Sequence, residues 1–248
     1  MKILVCISKV PDTTTKINVG DDKKTIDSKG VKFILNPYDE FAIEEGLRIK
    51  EQKGGEVTVL TVGDESNQDI LRTALAMGAD NAVLIKANYD FDSFQVASNI
   101  ANYAKKYNPD LILLGRQSID FDSFQVPSLL ATLLDFSSVS VVSKLTIDSN
   151  KIIAERDIEG GKEIVESTLP CIISTQKGIN EPRYPKLPDI MKAKKKNIEE
   201  FPFENTNKYV EVLSLQLPDK KRVGKIVGDS ENEIQEIVNL LHNEAKII

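Results

Sequence analysis

Apolar positions in the first 135 residues fall into an alternating series. Residues 2–8 form a short apolar run, Glu56–Gly63 alternates β-branched residues before a glycine, and Asn81–Lys86 and 110–115 repeat the strand signal. Helical stripes lie between these runs. Ala42, Ile43, Gly46, Leu47 and Ile49 share one face, as do Ile70, Leu71, Ala74, Leu75 and Met77. Val96, Ile100 and Ala104 make the next stripe, followed by Val126, Leu129, Leu130 and Leu133. Alternating strands and helices imply a parallel, doubly wound α/β sheet with helices on both faces.

After Leu134 the pattern changes. Residues 137–143, 145–148, 151–156 and 163–169 read as short added strands, with turns at Ser149-Asn150 and Gly160-Gly161, and 170–175 reads as a further buried strand. A polar stretch covers 197–208, and 209–215 is strand-like. Ser230-Glu-Asn-Glu233 is a capping box opening a helix with Ile234, Ile237, Val238 and Leu241 on one face. The expected organisation is one α/β domain over 1–200, then an arm and helix over 201–248. That helix packs either on another subunit or on its own sheet.

Composition narrows the function classes. Net charge is −6, and the lysine run at 192–196 is local, which argues against a broad nucleic-acid-binding face. No apolar run reaches membrane-spanning length, and no signal or transit pattern precedes the first strand, so a cytoplasmic protein without membrane insertion is expected. Cys6 and Cys171 lie in apolar runs and read as buried thiols; with the lone His242 they form neither a metal set nor a nucleophile–base pair.

Two segments carry the candidate chemistry. The first is Gly115-Arg-Gln-Ser-Ile-Asp-Phe-Asp-Ser-Phe-Gln-Val126, which follows a strand end and enters a helix. Ligands of open α/β sheets sit at such strand exits, and free backbone N–H groups there favour an anion. Ser123 and Gln125 add side-chain donors. Residues 6–12, 62–64 and Asn36-Pro-Tyr-Asp39 are positioned to line the same crevice, with Asn36 or Asp39 as a cap. Phe91-Asp-Ser-Phe-Gln-Val-Ala-Ser98 recurs as Phe121-Asp-Ser-Phe-Gln-Val-Pro-Ser128, and both copies read as helix starts capped by Asp92 with Gln95 and by Asp122 with Gln125. Asp120 and Asp122 read as caps rather than a catalytic pair. Neither a dinucleotide fingerprint nor a P-loop is present.

The second segment is Asn180-Glu-Pro-Arg-Tyr-Pro-Lys-Leu-Pro-Asp-Ile-Met-Lys-Ala-Lys-Lys-Lys196. Pro182, Pro185 and Pro188 fix their own φ and hold the preceding residues extended. A stiff loop results, presenting Tyr184 and Leu187 among charges before a basic helix from about Asp189. It reads equally as a partner-docking element or as a connector whose Leu187 tucks back onto its own domain.

These segments, together with Asn36-Pro-Tyr-Asp-Glu-Phe-Ala-Ile-Glu-Glu45 and Leu71-Arg-Thr-Ala-Leu-Ala-Met-Gly-Ala-Asp80, give the chain its resemblance to the β subunit of electron-transfer flavoprotein along essentially its whole length. The resemblance implies an adenine-nucleotide α-hydrolase-like fold and a heterodimer with an α subunit that holds most of the redox FAD. It implies an electron carrier rather than an enzyme, taking electrons from flavin dehydrogenases, such as those of fatty acid oxidation, and passing them towards the quinone pool through a quinone oxidoreductase. It implies AMP bound by positions matching Cys6, Asn36, Pro37, Tyr38, Asp39, Val62, Gly115, Arg116, Gln117, Ser118, Ile119, Asp120, Phe121, Asp122, Ser123, Phe124, Gln125 and Val126, with Tyr38 near the flavin. Leu187 matches the anchor that enters a dehydrogenase pocket, supported by Tyr184, Ile190 and Met191, and Asp157 matches an acidic residue that limits the lifetime of that complex. A mitochondrial matrix location is implied for a eukaryotic relative. Two departures stand out. Val126-Pro127 replaces the Thr-Gly of AMP-binding relatives and removes one hydroxyl, and Thr13 replaces an aromatic. Gln125-Val126 resembles the electron-bifurcating branch, whose β subunit holds a second FAD, but that branch lacks the Asn-Glu-Pro-Arg-Tyr loop, so AMP is expected and FAD is the rival. A stand-alone adenine-nucleotide enzyme or sensor would need a Ser-Gly-Gly-x-Asp loop, which is absent from the sequence.

Overall fold

The computed structural model describes residues 1–88, 90–218 and 224–248. In chain order the elements are β1 (Lys2–Cys6), β2 (Lys9–Pro11), β3 (Phe33–Leu35), α1 (Pro37–Lys53), β4 (Glu56–Gly63), α2 (Gln68–Met77), β5 (Asn81–Lys86), α3 (Ser93–Tyr107), β6 (Leu111–Gly115) and α4 (Val126–Leu134). They continue with β7 (Ser137–Asp148), β8 (Lys151–Ile158), β9 (Gly161–Thr168), β10 (Cys171–Thr175), α5 (Leu187–Ala193), β11 (Glu199–Pro202) and α6 (Glu231–Asn239). Nine strands form one sheet in the order β11-β5-β4-β1-β6-β10-β7-β8-β9. Pairing is parallel from β11 through β7, and β7, β8 and β9 close the far edge as an antiparallel meander.

Helices cover both faces, as the alternation predicts. Ile3, Val5, Leu111 and Leu113 pack towards Ile43 and Leu47 of α1 and Ile70 and Leu71 of α2. Leu4, Cys6, Ile112 and Leu114 pack towards Ala97 and Ile100 of α3 and Leu130 of α4. Burial on both sides explains why these strands read as continuous apolar runs. No helix among the described residues is long and apolar enough to cross a membrane.

Several elements differ from the sequence reading. The runs at 137–143 and 145–148 are one strand. β7 pairs in parallel with β10 through Val142, then antiparallel with β8, and the register shifts between Val142 and Lys144 beside Val141, whose φ is 63°. The bulge lets one strand serve both partners. β11 was hidden in the polar stretch; it pairs with β5, with Phe201 edge-on to Tyr103 at 5.2 Å, and it crosses the expected boundary at 200/201. Residues 209–215 form no strand: they pair with no strand of the sheet, and Leu213 is 78% exposed. β2 and β3 form an unanticipated antiparallel ribbon. α5 starts at Leu187 rather than Asp189, with Pro188 in its first turn, where a missing N–H costs nothing.

The capping box at Ser230 and Glu233 forms as predicted, but α6 buries no residue. It does not pack on the sheet of its own chain.

The repeated octapeptide takes two conformations. Asp92 caps α3 by accepting from Gln95 N–H at 2.9 Å, and Gln95 completes the box. Asp122 caps nothing: α4 begins at Val126, and Asp122 and Phe124 have φ of 50° and 56°. The copies differ only at Ala97 and Pro127. In a helix starting at Ser93, Ala97 is the fifth residue and its N–H must reach Ser93 O. Pro127 has no such proton, so it is confined to the first turn, and the helix starts three residues later in that copy. Pro127→Ala should therefore extend α4 backwards by about one turn onto an Asp122 cap. Slower hydrogen exchange at the amides of Gln125 and Val126 checks this; unchanged exchange would show that the proline is not the cause.

Candidate functional site

The strand carboxyl ends meet at the N-terminus of α1. Asp39 is buried there. Its Oδ2 accepts from Ser8 N–H at 2.8 Å and Ser8 Oγ at 2.7 Å, and its Oδ1 accepts from Gly115 N–H at 2.9 Å. Asn36, fully buried, is the N-terminal flank of α1 but makes no side-chain cap. Its Nδ2 donates to Gln117 O at 2.9 Å, and its Oδ1 accepts from Ile119 N–H at 3.3 Å. Asp39 thus crosslinks the exits of β1 and β6, and the Asn36 side chain ties the loop after β6 to the start of α1. Thr175 Oγ1, at the end of β10, donates to Tyr38 O at 3.2 Å and joins the third exit. The approach is close enough to demand glycine at 115: a Cβ there would lie 2.4 Å from Asp39 Oδ1 and 2.7 Å from the Tyr38 backbone.

Burial pushes the Asp39 carboxyl up to about 6, against hydrogen bonds from Ser8, Asn36 and Gly115 that favour its ionised form. Burial, then the charge of Asp39, pushes the Cys6 thiol well above its ordinary range, so Cys6, at the end of β1, is a neutral core thiol.

Arg116 is clamped between two aromatic rings at the exit of β6. Its guanidinium lies 5.2 Å from the Tyr38 ring centre and 4.8 Å from that of Phe124. Its Nε donates to Gln117 at 2.8 Å and its Nη1 to Gln176 at 3.1 Å. Beyond it the loop is held locally: Gln117 bonds Asp122, Asp122 N–H donates to Ser118 O, and Asp120 accepts from Phe121 N–H. Phe121 is 75% exposed. Ser123 Oγ lies 3.4 Å from Ser93 Oγ, linking the two octapeptide copies. Gln125 flanks α4 with no side-chain cap, and Val126 starts the helix. Val62 is half-buried at the end of β4, where Asp64 caps a single 3₁₀ turn by accepting from Ser66 N–H at 2.8 Å.

The proline-rich loop is pinned at its base and open at its tip. Buried Asn180 donates through Nδ2 to Phe41 O at 3.0 Å and Glu45 Oε2 at 2.9 Å. Arg183 bonds Glu44 through Nε at 2.8 Å and Nη2 at 3.1 Å, and Glu51 through Nη1. Burial would raise the Glu44 carboxyl, but hydrogen bonds from Arg183 and Arg48 outweigh it and hold it below its ordinary range. Tyr184 is 94% exposed and Leu187 73%, so Leu187 does not tuck back onto the domain. Met191 is also exposed, whereas Ile190 packs partly against the core. Lys196 of the basic run donates to Ala79 O at 2.7 Å and anchors the end of α5.

A family model of the electron transfer flavoprotein domain matches residues 23–206. The chain is 42% identical to the electron transfer flavoprotein subunit beta of Bacillus subtilis (strain 168), over the whole of both chains. It is 36% identical to the mitochondrial electron transfer flavoprotein subunit beta of Arabidopsis thaliana over both full lengths, and 37% identical to the electron transfer flavoprotein subunit beta of Bos taurus over 96% of each. The chain belongs to the electron transfer flavoprotein β-subunit family.

For this β-subunit chain, the resemblance read from sequence and the sheet agree, and the family places it in flavoprotein electron transport. The remaining expected site residue, Asp157, lies on β8 and accepts from Ser143 Oγ at 3.1 Å. β8 sits near one edge of the sheet, while α5 packs on α2 over the β4–β5 half, so this chain does not bring Asp157 and Leu187 together. Sequence reasoning missed Thr175, Gln176, Glu44 and Glu45. The legible signal was two acids in the apolar stripe of α1, facing a loop that contains an arginine.

Two tests follow from the Asp39 crosslink. Gly115→Ala should cost about 1–3 kcal/mol by overpacking, whereas Gly161→Ala, with nothing within 4 Å, should be nearly neutral; urea denaturation of both variants decides. Folding raises the Asp39 pKa from 3.8 to about 6, so its stabilising proton uptake is fully present below pH 3.8 and is lost as pH rises through 6. A carboxyl NMR titration should place its midpoint near 6; a midpoint at 3.8 would mean that the hydrogen bonds cancel the burial.

Proposed function

We propose that this chain is the β half of a heterodimeric electron-transfer flavoprotein, with AMP as a structural nucleotide in the crevice around Asp39 and most of a redox FAD held by an α subunit. In this reading it takes electrons from flavin dehydrogenases, including acyl-CoA dehydrogenases, and passes them through a quinone oxidoreductase to the quinone pool, in a bacterial cytoplasm or a mitochondrial matrix. The observation that carries it is the knot of three strand exits on Asn36, Tyr38 and Asp39 at the start of α1.

The residues present fit a nucleoside monophosphate. The first turn of α4 offers unpaired backbone N–H groups to a phosphate, although Pro127 supplies none. Ser123 Oγ and the exposed Gln125 side chain add donors beside that turn. The side chains of the crevice supply hydrogen bonds and an aromatic wall rather than a nucleophile: the Cys6 thiol is buried and neutral, and Asp39 is occupied by three donors. FAD, when bound, supplies the stepwise one- and two-electron chemistry. The contribution of this chain is to hold Tyr38, steadied by Arg116, as part of the wall, and to present an exposed Leu187 on a loop pinned at its base. Asp157 limits the lifetime of the docked complex. Within the expected arm, residues 201–202 belong to β11 of this chain's own sheet, and α6, whose apolar side chains are all uncovered, packs on the α subunit.

The complex purified with its α partner and then denatured should release one FAD and one AMP. Two FAD would replace this reading by the bifurcating form, and no nucleotide beyond one FAD would leave the crevice without its proposed ligand. Leu187→Ala should slow reduction by a dehydrogenase about 10-fold or more, as expected for truncating an interface anchor, while flavin content stays the same. Unchanged reduction kinetics removes the docking role.

A further inference from the structure

Residues 175–183 leave the sheet at the crevice and run along one flank of α1. Thr175 is bonded to Tyr38 O, and Gln176 holds Arg116. One turn further along the helix, Asn180 is bonded to Phe41 O and Glu45; its own Oδ1 is buried without a partner, so its two donor bonds alone hold the side chain. Further still, Arg183 adds its backbone N–H, 3.2 Å from Glu44 Oε2, to its side-chain bonds with Glu44 and Glu51. Successive ties therefore fasten the stretch leading to Tyr184 and Leu187 onto the helix whose first turn carries Tyr38 and Asp39.

Helix α1 is 17 residues long and internally hydrogen-bonded, so its first turn and its Glu44–Glu51 flank move together. Arg116 closes the circuit, because it touches Tyr38, Phe124 and Gln176 and sits next to Gly115, which Asp39 holds. A ligand that stiffens the 116–125 loop thus stiffens the base of the docking loop as well. Two events that need the same segment ordered favour one another, since the ordering cost falls once.

We propose that α1 and the 175–183 strap couple the crevice to the docking loop: a nucleoside monophosphate bound at Asp39 orders residues 180–186, and loosening that loop weakens the nucleotide. The inference rests on the crevice reading above and adds a regulation to it. The nucleotide becomes a determinant of partner recognition, acting on a surface it does not touch.

The test uses the full chain with its α subunit, stripped of nucleotide, with AMP as the probe. Arg183→Gln removes the outer ties; Glu51→Gln, at a half-exposed position, removes only the last ion pair and keeps the test usable if the first variant fails to fold. AMP should slow amide exchange at 180–186 in the wild-type complex by about 5-fold or more. By reciprocity, Arg183→Gln should then weaken AMP binding by a similar factor, measured by calorimetry, with a smaller loss in the same direction for Glu51→Gln. Equal AMP affinity in all three proteins, with loop exchange indifferent to AMP, overturns the coupling and leaves the crevice reading standing. Failure of AMP to bind the wild-type complex overturns the crevice reading and the coupling with it.

Discussion

A single buried carboxylate organises the business end of this molecule. Asp39 gathers N–H and O–H donors from the exit of β1 and the exit of β6 onto the first turn of α1. A parallel sheet leaves its strand ends splayed, and nothing in the ladder itself fixes how far apart the emerging loops stand. Burying an acceptor between them fixes that distance. It does so at a cost, because the charge is desolvated, and that burial pushes the carboxyl up from its ordinary range. Gly115 is the complementary requirement, since the crosslink exists only where the opposing backbone carries no side chain.

How much of this was legible in the sequence depends on the range over which each interaction acts. The sheet was legible because β1, β4, β5 and β6 are buried on both faces and write themselves as apolar runs. The caps at Asp92 and Ser230 were legible because their partners lie three residues away. Asp39 and Asn36 were found as residues but misread as caps, because their partners lie 31 to 83 positions distant. β11 escaped because an edge strand next to β5 needs only Phe201 and Phe203 facing inward and tolerates Glu199 and Glu200. The strand expected at 209–215 failed for the opposite reason: its residue types suit a sheet, but no sheet edge lies alongside.

The duplicated octapeptide sharpens the same point. Seven identical side chains were outvoted by one missing N–H. The local sequence offers Asp122 as a cap, but the backbone chemistry four residues after Ser123 determines whether the helix can reach it. A loop with two residues at positive φ results where its twin is a cap and the first turn of a helix, and the irregular copy is the one whose Phe124 packs on Arg116.

Helix α6 carries a different consequence. The terminal helix, α6 continued by a π-helical turn over Leu240–Glu244, falls within the roughly 12–15 residues at which an isolated helix is only marginally folded in water. With Ile234 53% and Val238 42% exposed, the helix gains nothing from its own domain. Its winding is therefore conditional on a surface supplied from outside, and the chain's last residues act as a built-in gauge: their helical signal reports whether the protein is alone or assembled.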